Sequence, residues 1–231
     1  PSRGLGDVYK RQDLKIASLK RTKKGSFATS ALVLEDLAFN ALKKKGTDFS
    51  IYKGPKGLEK FENSCIERGK DMRPQDVIEW WRLSRAKVVE TLADSTPGRK
   101  INWWHKEIDY LTFASSKLAE TWAHGLDIYA SMKKDYEDTI RIEHVALFGW
   151  LNAEKVSKEN KTKFQDLRVE LIGPEYKAWQ FGNEKSENSV KGNASDWCRI
   201  ITGRVDKTFK PTLSAEGDYA KKFIKFNHVK I

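Results

Sequence analysis

The ten residues Leu118-Ala119-Glu120-Thr121-Trp122-Ala123-His124-Gly125-Leu126-Asp127 constrain this chain more than any other stretch. They read as helix, and within them Glu120 and His124 stand four apart. Residues at that spacing lie about 40° apart around a helix axis, one turn above the other. A carboxylate and an imidazole so placed project side by side, as two ligands of one small divalent ion must. Asp127, seven residues after Glu120, falls on the same stripe. Leu111, Leu118, Trp122 and Tyr129 occupy the opposite stripe and read as the packing face. The spacing alone equally describes a solvated polar face carrying an ordinary Glu–His pair.

The chain has 231 residues, room for one large or two small domains with ample core. Charged residues make up 32% and aromatics 11%, the balance of a folded globular protein. No apolar run approaches the ~20 residues needed to cross a bilayer, and no signal-peptide core is visible. Cys65 and Cys198 are the two cysteines, far apart and without zinc-finger spacing. They predict a reducing, cytoplasmic setting and no disulfide framework. The net charge of +11 raises nucleic acid as a partner, but the lysines are interspersed with acidic residues. There is no Arg-rich arm, zinc knuckle or aromatic RNA-binding strand, so neither nucleic acid nor membrane is an expected partner.

Taken in order, residues 1–12 resemble the translation of a sequencing-library adapter and are set aside from the fold. From Ser26 to Leu42 apolar residues recur at near-helical spacing until Gly46. Leu58 to Cys65 predicts a short helix, and Pro74 opens a longer one ended by Asp94-Ser95-Thr96-Pro97-Gly98. Trp103-Trp104-His105 reads as a loop before the Glu120 helix. Asp138 to Leu151 predicts the next helix, with Val145, Ala146 and Gly149 suited to close packing and His144 on board. His144 is either a third metal ligand or a satisfied interior histidine. Residues 154–163 lack periodicity and read as a linker. Beyond it the period becomes two: Leu167–Ile172 and Ala178–Gly182 predict a hairpin around Gly173-Pro174, with a third short strand at Val190–Gly192. A helix follows from Ala194 to Arg204.

Ile101-Asn102-Trp103-Trp104 together with Phe113 to Asp127, and above all Glu120-Thr121-Trp122-Ala123-His124-Gly125-x-Asp127, resemble the mycothiol-dependent maleylpyruvate isomerase-like family of the DinB-like superfamily, nearest an uncharacterised metal-binding branch. The resemblance implies an α+β protein. A DinB-like four-helix bundle would span residues 13–153 and a small C-terminal α/β domain residues 164–231. It implies zinc, or another divalent metal, held by Glu120 and His124. The family's third ligand is a histidine on the first helix, where this chain reads Thr29-Ser30-Ala31-Leu32. Either that ligand is lost or the sequence between Asp13 and Ala31 is corrupted, since the resemblance resumes at Leu34-Glu35-Asp36-Leu37-Ala38. His144 is then the best substitute.

The resemblance further places Trp103 and Trp104 at the mouth of the site, against the thiol cofactor; the other reading is a hydrophobic cap on the bundle. It gives Arg204 a substrate carboxylate to bind, where a helix-end arginine offset by the macrodipole is the alternative. Asp127 would support His124 or the thiol. In the resembled reaction the thiolate of mycothiol adds to an activated cis double bond. Rotation and elimination then give the trans isomer. Bacillithiol or glutathione could serve as the thiol. The expected function is thus a thiol-dependent isomerase or S-transferase acting on a small carboxylate. A metal-binding protein without turnover and a metal-free helical interaction module are the alternatives.

Overall fold

The computed structural model describes residues 25–43, 55–96, 98–103, 106–205, 209–226 and 228, with residues 25–32, 55, 58, 62, 74 and 106 in backbone only. The expectations for residues 1–12 and for Trp104 lie outside them. The described residues form an α+β protein whose contacts divide it into two compact units, Pro1–Phe113 and Ala114–Ile231.

In the first unit, helices α1 (Gly25–Leu42), α2 (Pro55–Gly69) and α3 (Pro74–Ala93) pack with α1 against both others. Pro74 opens α3 at a position whose N–H has no helical partner anyway. Ala38, Ala41, Leu42 and Val88 close one core with Ile101, Trp103 and Phe113, and Val33, Phe61 and Cys65 close a second. Asp36 ties the three helices together. Its carboxylate accepts from Trp80 Nε1 at 2.8 Å, from Ser84 Oγ, and from Arg68 at 3.3 Å. In place of the loop expected around Trp103 there is an antiparallel hairpin, β1 (Lys100–Trp103) with β2 (Lys106–Asp109). Ile101 and Trp103 are buried and Lys100 and Asn102 exposed, the alternation of a half-buried strand.

Helix α4 (Tyr110–Ser131) begins in the first unit and runs on into the second. Asp109 caps it, accepting from the Thr112 N–H at 3.0 Å and from the Thr112 hydroxyl at 2.5 Å. Its buried residues include Ala119, Trp122, Ala123 and Leu126. The expected stripe is therefore partly corrected: Trp122 is buried, whereas Leu111 is 47% exposed. Small side chains at 119 and 123 let neighbouring chain approach, which hydrophobicity alone does not signal.

The second unit adds α5 (Ile142–Leu151), α6 (Ala153–Glu159), a four-stranded sheet, α7 (Ala194–Ile201) and α8 (Asp218–Phe223). The sheet order is β4-β3-β5-β6, with β3 at Arg168–Ile172, β4 at Ala178–Phe181, β5 at Ser189–Asn193 and β6 at Leu213–Glu216. The β3–β4 hairpin is antiparallel as the sequence predicts, β5 runs parallel to β3, and β6 is antiparallel to β5. Val169, Leu171, Trp179 and Val190 enter a core shared with Trp197, Ile201 and Phe223.

Gly149 of α5 lies so close to α7 that a Cβ there would meet Ile201 Cγ1 at 2.8 Å. Three expectations change. The segment expected as a linker, 154–163, is helical through Glu159 and buries Val156 and Ser157. Helix α5 starts at Ile142 rather than Asp138. Residue 138 instead uses its carboxylate to accept from Trp122 Nε1 at 2.7 Å and from Ser195 Oγ, joining α4 to the start of α7. Strand β6 and helix α8 were not expected at all.

Candidate functional site

The second unit gathers four charged side chains and one imidazole along α4 and at the end of α7. On α4, Glu120 and His124 are largely buried, with side chains 16% and 20% exposed. Each faces a polar partner. Glu120 Oε2 accepts from Lys117 Nζ at 2.5 Å, and Lys117 is 7% exposed. His124 Nδ1 stands 3.6 Å from Asp127 Oδ2, within ion-pair range but beyond hydrogen-bond length. The helical spacing that pairs 120 with 124 also pairs 117 with 120 and 124 with 127.

Arg204 reaches Asp127 from the far end of the sequence. Asn193 caps the start of α7, its side chain accepting from the Ser195 and Asp196 N–H groups. The end of α7 is closed by a Schellman turn: the Gly203 N–H donates to Ile200 O at 3.0 Å and the Arg204 N–H to Arg199 O at 2.8 Å. Gly203 sits at φ +70°, a conformation open to glycine at little steric cost. That turn redirects the chain, and Arg204 donates to Asp127 Oδ2 at 3.0 Å and to Thr202 O at 2.6 Å. Its side chain is 13% exposed.

Burial pushes the Asp127 carboxyl up, but the His124 ring and the Arg204 guanidinium beside it outweigh burial and hold it below the ordinary carboxylate value. At the start of α4, burial likewise works against the Asp109 carboxylate, and the hydrogen bonds from Thr112 keep it below the ordinary value.

The structure thus brings together His124, Asp127 and Arg204, while Glu120, one helical turn before His124, pairs with Lys117. The Asp127–Arg204 pair spans 77 positions of sequence. Two expectations do not join them. His144 is exposed on α5, whose inner face carries Val145 and Ala146. Among the described residues no group of three or more His, Cys, Asp or Glu side chains is arranged to hold a metal ion. His144 therefore does not complete a ligand set with Glu120 and His124. Trp103, expected against a cofactor, is 6% exposed and packs edge-on against Phe113 at 5.3 Å, a core position.

The residue that sequence reasoning missed is Lys117. A lysine three residues before a glutamate reads as a solvated helix pair, and only its burial sets it apart. Both cysteines are buried, and burial raises the Cys198 thiol well above its usual value, aided by Asp138. That thiol is packing, not a nucleophile.

Residues 34–129 match the model of the mycothiol maleylpyruvate isomerase N-terminal domain family, a similarity that starts at Leu34 and takes in Glu120, His124 and Asp127. The chain is also similar to two uncharacterized proteins of Mycobacterium tuberculosis, from strains CDC 1551 and H37Rv. Identity to each is 29% over 133 residues, covering 57% of this chain and 52% of theirs. It spans about half the length of these relatives. Among solved structures, it is similar to a histidine-to-alanine mutant of the mycothiol-dependent maleylpyruvate isomerase. The identity is 16% and the TM-score 0.43, over 78% of this chain and 72% of that one. No described helix is long and apolar enough to cross a membrane.

Proposed function

We propose that this chain is a low-molecular-weight-thiol-dependent enzyme of the maleylpyruvate isomerase type, acting on a small carboxylate. One observation carries the reading: Asp127 stands against both His124 of the helical motif and Arg204 from the end of α7. The family of the N-terminal domain supplies the class of reaction, and the cluster supplies groups suited to it.

The family implies a divalent metal, zinc above all. The donor chemistry suits two of its ligands: a carboxylate and an imidazole one turn apart, largely removed from water, with Asp127 against one imidazole nitrogen. A catalytic zinc takes three protein ligands. Among the described residues no third ligand stands with them. When bound, such an ion stabilises the thiolate form of a thiol at neutral pH.

The chain's own groups do the rest. The Arg204 guanidinium presents a planar fork of donors to a substrate carboxylate. Asp127 holds that guanidinium in place and orients the His124 ring. Burial of Glu120 and His124 keeps bulk water from competing with the thiol. Mycothiol is the thiol that the family names; bacillithiol and glutathione offer the same nucleophile.

The test is cis–trans isomerisation of maleylpyruvate by metal-loaded protein, followed by ultraviolet absorbance with each thiol in turn. Turnover is expected only with a thiol present. Arg204→Lys is expected to raise KM about tenfold or more, the loss of roughly 1.4 kcal/mol of carboxylate binding, with kcat less affected. Absence of turnover together with no thiol binding in calorimetry overturns the proposal. Retained zinc under those conditions would leave a metal-binding protein without turnover.

A further inference from the structure

The second unit carries an open cleft of about 400 Å³ at the end of α6, lined by Glu154, Lys158, Lys161, Thr162, Lys163 and Phe164. That is the size of a small-molecule site. The chain reaches it twice because it turns back after the helix. Lys161 takes the left-handed conformation at φ 53°, its N–H donates to Lys158 O, and the Thr162 N–H donates to Ser157 O. Lys161 and Lys163 thereby join the cleft that Lys158 lines from the helix.

The three ammoniums are not spent on the helix end. Its carbonyls accept from other donors: Val156 O from Asn160 Nδ2 at 2.9 Å, Ser157 O from the Thr162 N–H at 2.9 Å, and Asn160 O from the Thr162 hydroxyl at 3.2 Å. Glu159 is held by Lys155, 3.9 Å away on the same helix. Among the described residues Lys158, Lys161 and Lys163 have no ion-pair partner, and Glu154 is the one carboxylate on the lining. Beside this excess of cations stands Phe164, 40% exposed, its ring meeting Tyr219 at a right angle and 5.9 Å.

We propose that this cleft binds a small phosphomonoester carrying a flat ring, the chemistry of a nucleoside monophosphate. Such a phosphate is close to doubly charged at neutral pH. Lysines suit it as point charges, whereas a planar carboxylate is matched best by the fork of an arginine. The exposed ring of Phe164 offers a base a stacking surface that does not select among bases. The proposal is independent of the catalytic reading, since no group of α4 and no part of the Arg204 turn lines the cleft.

Calorimetry on the full chain at low ionic strength tests it, with AMP, adenosine, ribose 5-phosphate and inorganic phosphate as probes. AMP is expected to bind at least about tenfold more tightly than each of the other three. Lys161→Gly, which keeps the turn and relieves its strain, is expected to weaken AMP about threefold. The triple variant Lys158→Gln/Lys161→Gly/Lys163→Gln should weaken it about tenfold or more, with an unchanged or higher urea midpoint confirming the fold. Phe164→Leu, which keeps apolar volume against Tyr219, should bring AMP down to the level of ribose 5-phosphate. AMP affinity unchanged in the triple variant overturns the proposal, as does inorganic phosphate binding as tightly as AMP, or no binding of AMP at all.

Discussion

His228 shows how far one side chain can be pushed by its surroundings. Its Nε2–H donates to Phe223 O at 2.8 Å, its ring packs edge-on to Phe223 at 5.0 Å, and its buried Nδ1 has no hydrogen-bond partner among the described residues. Burial lowers its pKa to about 4, against the modest opposing pull of the Phe223 carbonyl. The neutral ring is the folded form, so its contribution is complete above the unfolded value of about 6.5. That contribution is lost as pH falls from there to about 4, with no further change from this group below. The loss is of order 3 kcal/mol. Urea titrations at pH 7, 5.5 and 4 should show this fall, and His228→Gln should flatten it; an unchanged slope contradicts the assignment.

The same scale shows what the sequence made legible at the site. Glu120, His124 and Asp127 were found because helical spacing is a local property. Arg204 came from resemblance alone, since its contact with Asp127 depends on a turn 77 residues away. Lys117 was missed because a Lys–Glu pair three apart reads the same in water and in a protein interior.

Among the helices, three ends share one device. After α4, the Lys134 N–H donates to Tyr129 O and the Lys133 N–H to Ala130 O. After α6, the Thr162 N–H donates to Ser157 O and the Lys161 N–H to Lys158 O. Both repeat the Schellman turn at Gly203. In those two cases the residue in the left-handed conformation is a lysine, Lys133 at φ 54° and Lys161 at φ 53°. A side chain there costs about 1 kcal/mol relative to glycine. Lys161→Gly is accordingly expected to raise stability by roughly 0.5–1 kcal/mol, with Gly203→Ala lowering it by a similar amount or more. Urea midpoints for the two variants decide it, and a shift of the same sign in both would refute the argument.

These turns also explain one misread element. Without a glycine or proline to mark the stop at residue 161, and with four lysines and two glutamates between 154 and 163, α6 carried the composition of a linker. Its burial rests on just Ala153, Val156 and Ser157. Helices α1 to α5 and α7, and the β3–β4 hairpin with its Gly-Pro turn, were legible because each displays a sustained period. Strand β6, four residues long with no large apolar alternation, displays none.

For the molecule as a whole, α+β architecture was readable from the change of period after residue 163. The division into units was not, because α4 runs unbroken through the boundary between Phe113 and Ala114. Nothing in a continuous helical pattern announces that its first turn and its remainder belong to different cores. A proline at 114 would delete a helical hydrogen bond and strike the carbonyl one turn back. Ala114→Pro should therefore cost about 3 kcal/mol or more, read as a lower urea midpoint. Tryptophan fluorescence offers reporters in both units, Trp103 in one and Trp122, Trp179 and Trp197 in the other. A midpoint unchanged by that substitution would mean the helix is dispensable at the junction.

One oxygen, Asp127 Oδ2, receives both the imidazole at 3.6 Å and the guanidinium at 3.0 Å. Two bases leaning on a single atom cannot be perturbed separately. An anion that drew the guanidinium off would leave a half-exposed carboxylate beside the imidazole, so a change at the tail of α7 is felt on α4, 77 positions earlier in the sequence.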